Sequence, residues 1–337
     1  MKKILKKIYK NNFLTKKESF FIFNQILNKK INNIQLSAIL AIMSARKETE
    51  HEVIGARKAC LQYQPTFPKT NYICADIVGT GGDQKNSFNI STVSSIVAAY
   101  YGIKIAKICN VSSSGIVGSV DLLTHFNINV FISPEKSKKL LDKYNICFLS
   151  ANQYLNIFKR VEKVRKILST KTIFNKLGPI LNPVQPSYSI IGVYSSKLLL
   201  FFAKILKKLK YKNAIVVHSE GSDEIILCKN IQIAELKNNQ INQYTLSAKD
   251  FGLKEIEKDC LFNKTKKENY QETKKLFQGL GKTYYVNTIA ANVALLLKIT
   301  NISNNLITNT TTIIKLIQSG KIYNFIKKLS KFTTKKN

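Results

Sequence analysis

Apolar residues recur at helical spacing over the first part of the chain. The stretch TKKESFFIFNQILNKK begins with Thr15 and Glu18 in the spacing of a capping box, and its apolar residues repeat at helical intervals. The stretch NIQLSAILAIMSARKETEHEVIGARKAC continues this pattern, with polar breaks at 30–33 and 47–50. The sequence therefore predicts a small N-terminal helical domain over residues 1–70.

A different pattern starts after the connector QPTFPKTNYI, whose prolines end the helical spacing. Short runs typical of strands, such as ADIV, SIIGVY and NAIVVHS, alternate with runs of helical spacing. This alternation predicts a larger α/β domain over residues 71–337, with a central sheet that is at least partly parallel. Ligands of such domains bind beyond the carboxyl ends of the strands, so polar motifs at these ends are candidates for a site.

Composition indicates a globular protein without a membrane anchor. With 337 residues, of which 45% are hydrophobic, the chain is long enough for about two domains. The longest apolar run, LLLFFA, is far shorter than the ~20 residues of a membrane span, and no secretory signal is recognisable. Six scattered cysteines without a CxxC pair favour reduced thiols. We therefore expect a soluble, cytoplasmic protein.

The formal net charge of +33 raises the alternative of a nucleic-acid-binding protein. However, lysine, asparagine and isoleucine are enriched along the whole chain, and the lysines form no block with interleaved aromatic residues. This distribution is typical of AT-rich coding sequence. It favours a general positive potential, which would also attract a small polyanionic substrate.

The stretch DIVGTGGDQKNSFNIST, residues 76–92, places three glycines directly after a predicted strand. These glycines allow a sharp turn and a close approach of the backbone to a ligand. The segment 89–92 predicts a helix start with capping side chains and free N–H groups, an arrangement that binds phosphate. The turn is neither a Walker loop nor a dinucleotide fingerprint, because no Gly-Lys-Ser/Thr follows and Gln84 occupies the third glycine position. A plain strand-to-helix turn is the alternative for this stretch alone.

Other predicted strand ends also carry polar motifs. Lys107 and the serine- and glycine-rich loop up to Ser119 offer a cation, hydroxyls and amides for a second anionic group, which favours a diphosphate ligand. After NAIVVHS, Asp223 and Glu224 stand side by side in a chain with 20 acidic residues. Such a pair suits Mg²⁺ that bridges to substrate phosphates, or else forms a solvated turn. Arg165 is either a surface residue or a fork for a substrate carboxylate.

The order of these motifs resembles the anthranilate phosphoribosyltransferases of tryptophan biosynthesis. GTGGD is followed by NIST, a Lys/Asn/Ser loop ending in GSVDLL, VRKILSTKTIFNKLGPILNP, GVY and VVHSEGSDE, and the resemblance spans about residues 14–300. It implies a helical domain joined by hinges to an α/β domain, with a homodimer formed through the helical part. It also implies transfer of a phosphoribosyl group from phosphoribosyl pyrophosphate to the amine of anthranilate, with Mg²⁺ as cofactor.

The resemblance further implies the residues of the site. No catalytic residue is implied beyond groups that position the substrates, since an aryl amine is already neutral at pH 7 and catalysis can rest on positioning and on stabilisation of the leaving group. Mg²⁺ would be held by Ser91, Asp223 and Glu224, and anthranilate would be oriented by Gly79, Asn110 and Arg165. Phosphoribosyl pyrophosphate would contact Gly79, Gly82, Asp83, Ser87 (where threonine is common), Asn89, Ile90, Ser91, Thr92, Lys107, Ser112, Ser113, Ser114, Gly115 and Ser119.

The sequence departs from the family pattern mainly on the acceptor side. The family's usual Lys-His-Gly-Asn-Arg is replaced by KICNV, which places Ile108 and Val111 at two polar positions and Cys109 between them. Asn152 and Leu155 stand where proline and histidine are usual. Two explanations stay open: drift with the activity retained, or a shift to another acceptor or to a non-catalytic role, with nucleic acid bound by the basic surface. A nucleoside-phosphorylase-like protein is a further alternative, although the retained arginine and LGPILNP fit an acidic aromatic acceptor better.

Overall fold

The computed structural model describes residues 1–81, 88–110, 118–220, 222–228, 230–261 and 265–335, with the backbone alone at 258–259. Within these ranges, no helix combines the length and the apolar character that a membrane span requires. The strands are β1 Ala75–Gly79, β2 Ile105–Cys109, β3 Ile146–Ser150, β4 Tyr188–Gly192, β5 Asn213–Ser219, β6 Ile231–Lys237 and β7 Gln240–Leu246. The α-helices are α1 Lys2–Tyr9, α2 Lys16–Leu27, α3 Asn33–Arg46, α4 Glu50–Leu61, α5 Ile90–Tyr101, α6 Ser119–His125, α7 Pro134–Tyr144, α8 Ala151–Tyr154, α9 Lys159–Leu168, α10 Ile173–Leu177, α11 Leu199–Lys208, α12 Lys266–Phe277, α13 Thr283–Ile299, α14 Leu306–Gln318 and α15 Ile322–Thr334.

The chain divides into two compact units. The helical unit consists of Met1–Thr66 together with Asn152–Pro183, and the α/β unit contains the rest. The sequence pattern predicts a single boundary at residue 70, whereas in the structure α9 and α10 pack against α3, and α10 also packs against α4. Within the helical unit, the Ser44 hydroxyl donates a hydrogen bond to the carbonyl oxygen of Lys171 at 2.6 Å. The second segment joins the helical unit through such long-range contacts.

Capping boxes begin three helices of the helical unit. Thr15, Asn32 and Thr49 each accept a hydrogen bond from the backbone N–H three residues on, and the side chain at that position accepts from the N-cap in return. These are the helix starts that the capping pattern and the polar breaks in the sequence predicted. Local signals were sufficient here because each cap is satisfied within its own turn.

A buried ion pair links helices of the same unit. Glu52 of α4 is buried, and its carboxylate accepts hydrogen bonds from Arg46 Nη1 at 3.0 Å and from the N–H groups of Leu14 and Thr49 at 2.9 and 2.8 Å. Burial by itself disfavours the charged carboxylate. The hydrogen bonds from Arg46 and the backbone outweigh this effect, so the pKa of Glu52 lies below its ordinary value of 4.5.

The α/β unit is built around a seven-stranded sheet with the order β3-β2-β1-β4-β5-β6-β7. Strands β1 to β5 are parallel, whereas β5 with β6 and β6 with β7 pair antiparallel. The chain proceeds outwards from β1 through β2 and β3 and returns to β4 on the other side of β1, which creates a switch point where ligands of α/β proteins bind. The predicted fold class, a helical domain plus an α/β domain with a mostly parallel sheet, is confirmed.

Helix α13 forms much of the core of the α/β unit. It is apolar on nearly all sides, as expected of a core helix, and it packs against α5, α14 and the strands β4 and β5. The ring of Phe88, just before α5, stacks on Tyr285 of α13 with centroids 4.3 Å apart. The start of α5 is therefore anchored to the core of the α/β unit.

Candidate active site

The paired carboxylates contact two backbone N–H groups beyond the end of β1. The N–H of Gly81 donates to Asp223 Oδ2 at 2.6 Å, and the N–H of Ser91 donates to Glu224 Oε1 at 3.2 Å. Gly81 has a φ of +66°, a backbone conformation that favours glycine. The structure thus brings the glycine turn, the start of α5 and the acidic pair together at the carboxyl end of β1.

Glycines at the ends of β1 and β4 make room for Asp223. A Cβ on Gly79 would lie 2.2 Å from Asp223 Oδ2, and a Cβ on Gly192 would lie 1.5 Å from the Asp223 carbonyl oxygen. Neither position can carry a side chain without displacing the acidic pair. The sequence motifs predict Gly79 as a site residue but not Gly192, whose signal in the sequence is the glycine of the GVY motif.

Helix α5 begins at Ile90, as predicted, but its cap differs from the prediction. Asn89 makes no side-chain hydrogen bond to the helix, and its Nδ2 donates instead to Asn269 Oδ1 at 3.3 Å. The N–H of Ser91 is satisfied by Glu224, which is 133 residues away in sequence. The expectation of capping side chains within 89–92 is wrong in this respect, because a distant carboxylate takes the N–H group.

The other residues predicted to bind phosphoribosyl pyrophosphate lie on several elements of the α/β unit. Thr92 is buried in α5, and its Oγ1 has no hydrogen-bond partner among the described residues. Lys107 is 2% exposed, and its Nζ donates to the carbonyl oxygens of Ile77 at 2.8 Å and Ile108 at 3.3 Å. Ser119 begins α6. The remaining predicted residues, Gly82, Asp83, Ser87, Ser112, Ser113, Ser114 and Gly115, lie outside the described residues.

The residues predicted to orient the acceptor come from both units. Gly79 ends β1 and Asn110 follows β2 in the α/β unit. Arg165 belongs to the helical unit, where its guanidinium carbon lies 5.9 Å from the ring centroid of Phe158 and 5.6 Å from that of Phe174. Burial lowers the pKa of Arg165, but a guanidinium remains charged near neutral pH. The two phenylalanines were missed by the sequence analysis.

Only some of the positions that depart from the family pattern are buried: Asn152 is exposed, and Val111 lies outside the described residues. Ile108 of β2 and Leu155 of the helical unit are both buried. Cys109 is also buried, and burial raises its pKa to about 12, so the thiol stays protonated near neutral pH. Cys109 is therefore a packing residue and not a nucleophile.

The oxygen atoms around the acidic pair suit Mg²⁺. Asp223 and Glu224 supply carboxylates, and both approach the backbone where phosphate-binding N–H groups occur. Mg²⁺ prefers hard oxygen ligands and is commonly held by one or two carboxylates, water and substrate phosphates. The residues present at the end of β1 therefore fit a magnesium ion.

Two buried asparagines support this arrangement and were missed by the sequence analysis. Asn292 of α13 donates through Nδ2 to the carbonyl oxygen of Ile225 at 3.1 Å, directly after the acidic pair. Asn269 of α12 contacts Asn89 at the start of α5. In the sequence, the signal for Asn292 was a polar residue within an otherwise apolar helix.

Comparisons with known proteins define the class to which the chain belongs. Residues 2–63 match the helical bundle domain of the glycosyl transferase family, and residues 71–323 match its α/β domain. The chain belongs to this glycosyl transferase family.

Individual relatives narrow this class. The chain is 50% identical over 332 residues to the anthranilate phosphoribosyltransferase of Buchnera aphidicola subsp. Schlechtendalia chinensis, covering 98% of this chain and 100% of the relative. The crystal structure of anthranilate phosphoribosyltransferase from Thermus thermophilus matches with a TM-score of 0.93 at 26% identity, over 98% of this chain and 99% of that one. The enzyme from Saccharomyces cerevisiae in complex with PRPP and Mg matches with a TM-score of 0.88 at 25% identity, over 98% and 97%. Within the family, the chain groups with the anthranilate phosphoribosyltransferases, which confirms the resemblance seen in its motifs.

Proposed function

We propose that this protein is a cytoplasmic enzyme of tryptophan biosynthesis that transfers the phosphoribosyl group of phosphoribosyl pyrophosphate to the amine of anthranilate. The products are N-(5-phosphoribosyl)anthranilate and pyrophosphate. The observation that carries this proposal is the meeting of two N–H donors and two carboxylates beyond β1. N–H groups at a helix start bind phosphate oxygens, whereas carboxylates bind Mg²⁺. A pyrophosphate leaving group needs both the N–H donors and the metal ion.

In the proposed reaction, the bond between ribose C1 and the pyrophosphate oxygen breaks and a bond between C1 and the amine nitrogen forms. The amine then loses one proton to solvent. Because an aryl amine is already neutral at pH 7, the chain needs no strong base, and Ile108 and Leu155 are compatible with turnover. Positioning of both substrates and stabilisation of the departing charge account for the rate.

The acidic pair occupies the N–H groups that phosphate oxygens would use. The phosphate oxygens must therefore replace Asp223 and Glu224 as the acceptors of the hydrogen bonds from the N–H groups of Gly81 and Ser91. The two carboxylates and the Ser91 hydroxyl would hold Mg²⁺, which would supply positive charge to neutralise the phosphates. We propose that binding of the metal and binding of phosphoribosyl pyrophosphate are coupled for this reason, with the other phosphate-side residues of the resemblance completing the site.

Arg165 is proposed to bind the carboxylate of anthranilate, together with Gly79 and Asn110. Its Nη2 donates to Asn175 Oδ1 at 3.4 Å, and its guanidinium lies near the rings of Phe158 and Phe174. A guanidinium fork matches a carboxylate geometrically, and the rings offer surface to a planar acceptor. These contacts favour retained use of anthranilate over a changed acceptor.

We also propose a homodimer formed through the helical unit. Helix α3 packs against both α1 and α9, and these three helices expose 48% of Tyr9, 83% of Ile34 and 72% of Ile167. Large apolar side chains exposed on neighbouring helices are typical of an interaction surface. A second copy of the chain is the partner that the family resemblance implies.

The activity is tested by mixing the purified protein with anthranilate, phosphoribosyl pyrophosphate and Mg²⁺ and following the loss of anthranilate fluorescence. We expect turnover by the unaltered protein. Arg165→Ala should lower kcat/KM for anthranilate by about 100-fold, because a charge-assisted contact is worth about 1.5–3 kcal/mol. Lys166→Ala, the neighbouring exposed cation on α9, should leave kcat/KM unchanged. Folded protein without turnover would contradict the proposal.

A further inference from the structure

The helical unit contains a basic pocket that lies outside the residues assigned to the reaction. It has a volume of about 620 Å³, and four of its nine lining residues are the cations Lys29, Lys159, Arg160 and Lys163, with no acidic residue among the nine. This volume is within the range of small-molecule sites. The cations come from the end of α2 and from α9, so the fold gathers them from distant parts of the chain.

The four cations of the basic pocket have no ion pair within the ranges that the structure describes. In the same unit, Arg46 is paired with the buried Glu52. Lys159 and Lys163 stand four residues apart on α9, a spacing that brings like charges together and destabilises a helix. An anion bound in the pocket would relieve this repulsion.

Arg160 is held at the pocket by a hydrogen bond to the backbone. Its Nη2 donates to the carbonyl oxygen of Ile31 at 3.1 Å. Its Nε is buried and has no hydrogen-bond partner among the described residues. An unsatisfied buried donor is unfavourable, which favours any ligand that draws the guanidinium towards the pocket. Arginine is well suited to phosphate because its planar fork matches two oxygens.

The apolar part of the pocket favours a ligand with a flat ring. Tyr63 exposes 38% of its surface, and its hydroxyl is fixed by a hydrogen bond to Asn24. Leu27 and Ile157 add apolar surface beside the cations. Aromatic faces stack on planar rings, and cations bind phosphates. We propose that the basic pocket binds a small molecule that joins two or more phosphates to a planar ring, the chemistry of a nucleoside diphosphate.

The basic pocket is separate from the residue proposed to bind anthranilate on the same helix. Arg165 stands two positions after Lys163, about 160° round the helix. Its guanidinium lies near Phe158 and Phe174, neither of which lines the pocket. The proposed ligand of the basic pocket is therefore distinct from anthranilate, and its binding does not depend on the proposed reaction.

The test is a calorimetric titration of ADP into the full chain in buffer with EDTA, so that no Mg²⁺ is available at the carboxylate pair. Lys159→Gln with Lys163→Gln is compared with Lys10→Gln with Lys17→Gln, which removes the same charge from exposed positions of the same unit. We expect one ADP per chain, an affinity at least about tenfold weaker in the pocket variant, and a control within about twofold of the unaltered protein. Thermal unfolding verifies that all three proteins are folded.

Three results would overturn the proposal. Equal ADP affinity in the pocket variant and the unaltered protein would place ADP elsewhere. An equal loss of ADP affinity in both double variants would show that only the net charge of the unit matters. Absence of binding at about 1 mM ADP would exclude nucleoside diphosphates as ligands of the pocket. Titration of pyrophosphate, which has no ring, tests whether the pocket also binds the planar ring. Tighter binding of ADP than of pyrophosphate, with this difference lost in Tyr63→Leu, would support a planar ligand. Equal affinity for ADP and pyrophosphate in the unaltered protein would contradict it.

Discussion

Asp223 is confined by glycines on two strands and by a backbone N–H group. Asp223 packs directly against Gly79 and Gly192, where a Cβ on either glycine would overlap it. The N–H of Gly81 donates to Asp223 Oδ2. Glu224 accepts a hydrogen bond from the N–H of Ser91 at 3.2 Å. These contacts place both carboxylates beyond the carboxyl end of β1, at the switch point of the sheet.

Asn292 should set how well the acidic pair binds Mg²⁺. Without its hydrogen bond to the Ile225 carbonyl, the turn that carries the carboxylates loses a fixed contact. For Asn292→Ala, we expect the Mg²⁺ concentration at half-maximal turnover to rise about tenfold, as is typical when a residue that orients metal ligands is removed.

The matched control for this prediction is Asn309→Ala. Asn309 is another buried asparagine, and its Nδ2 donates to the carbonyl oxygens of Ala294 at 3.4 Å and Ser303 at 3.0 Å. It should cost similar stability but leave the Mg²⁺ requirement unchanged. An equal rise of the Mg²⁺ requirement in both variants would show that Asn292 contributes only to the general stability of the fold.

The sequence predicted which residue types form the site but not how they contact one another. The acidic pair and the glycine turn were recognisable because each is a short motif at a predicted strand end. The contact of Glu224 with Ser91 joins segments 133 residues apart, and no local pattern encodes it. For the same reason, the prediction for the cap of α5 was wrong. Gly192 and Asn292 were missed because a lone glycine or asparagine in the sequence does not reveal which distant residue it contacts.

At the scale of elements, the helices of the helical unit depend on the buried carboxylate of Glu52. Glu52→Gln should lower the free energy of unfolding by about 3 kcal/mol, because it leaves the charge of Arg46 buried without a counter-charge. Chemical denaturation at neutral pH measures this loss.

The same ion pair predicts a pH dependence. The folded-state pKa of Glu52 is lowered, so its stabilising contribution is complete above the ordinary value of 4.5 and is lost as the pH falls through the folded-state pKa. The unaltered protein should therefore lose stability more steeply than Glu52→Gln below about pH 4.5. Parallel stability curves for the two proteins would contradict this role.

Elements with local signals were predicted well, and elements that depend on pairing were not. Helices α2 to α4 follow from capping boxes and apolar spacing. Strands β3, β6 and β7 were not among the predicted strands. Most residues of β7 are at least partly exposed, and this strand is ordered by pairing with β6. The grouping of α9 and α10 with the N-terminal helices likewise rests on contacts that span more than one hundred residues.

At the scale of the whole molecule, the exposed apolar residues of the helical unit predict a dimer. Sedimentation should give twice the chain mass of 38.2 kDa for the unaltered protein. Ile34→Asp with Ile167→Asp should give the single mass, because burial of two carboxylates disfavours association. Leu280→Asp alters a residue that is 73% exposed in the α/β unit and should remain dimeric. A monomeric unaltered protein would contradict the proposed interface.

The net charge of +33 is compatible with the proposed enzyme, since a positive potential attracts polyanionic phosphoribosyl pyrophosphate. The comparisons support a phosphoribosyltransferase and give no support to the alternative of nucleic-acid binding.

The central claim is that the acidic pair and the N–H groups beyond β1 form a Mg²⁺-dependent site for phosphoribosyl pyrophosphate. The most direct measurement is calorimetric titration of phosphoribosyl pyrophosphate with and without Mg²⁺, in the unaltered protein and in Asp223→Asn with Glu224→Gln. We predict that Mg²⁺ tightens binding at least about tenfold in the unaltered protein and has little effect in the variant. Equal affinity with and without Mg²⁺, or the same Mg²⁺ effect in both proteins, would contradict the claim.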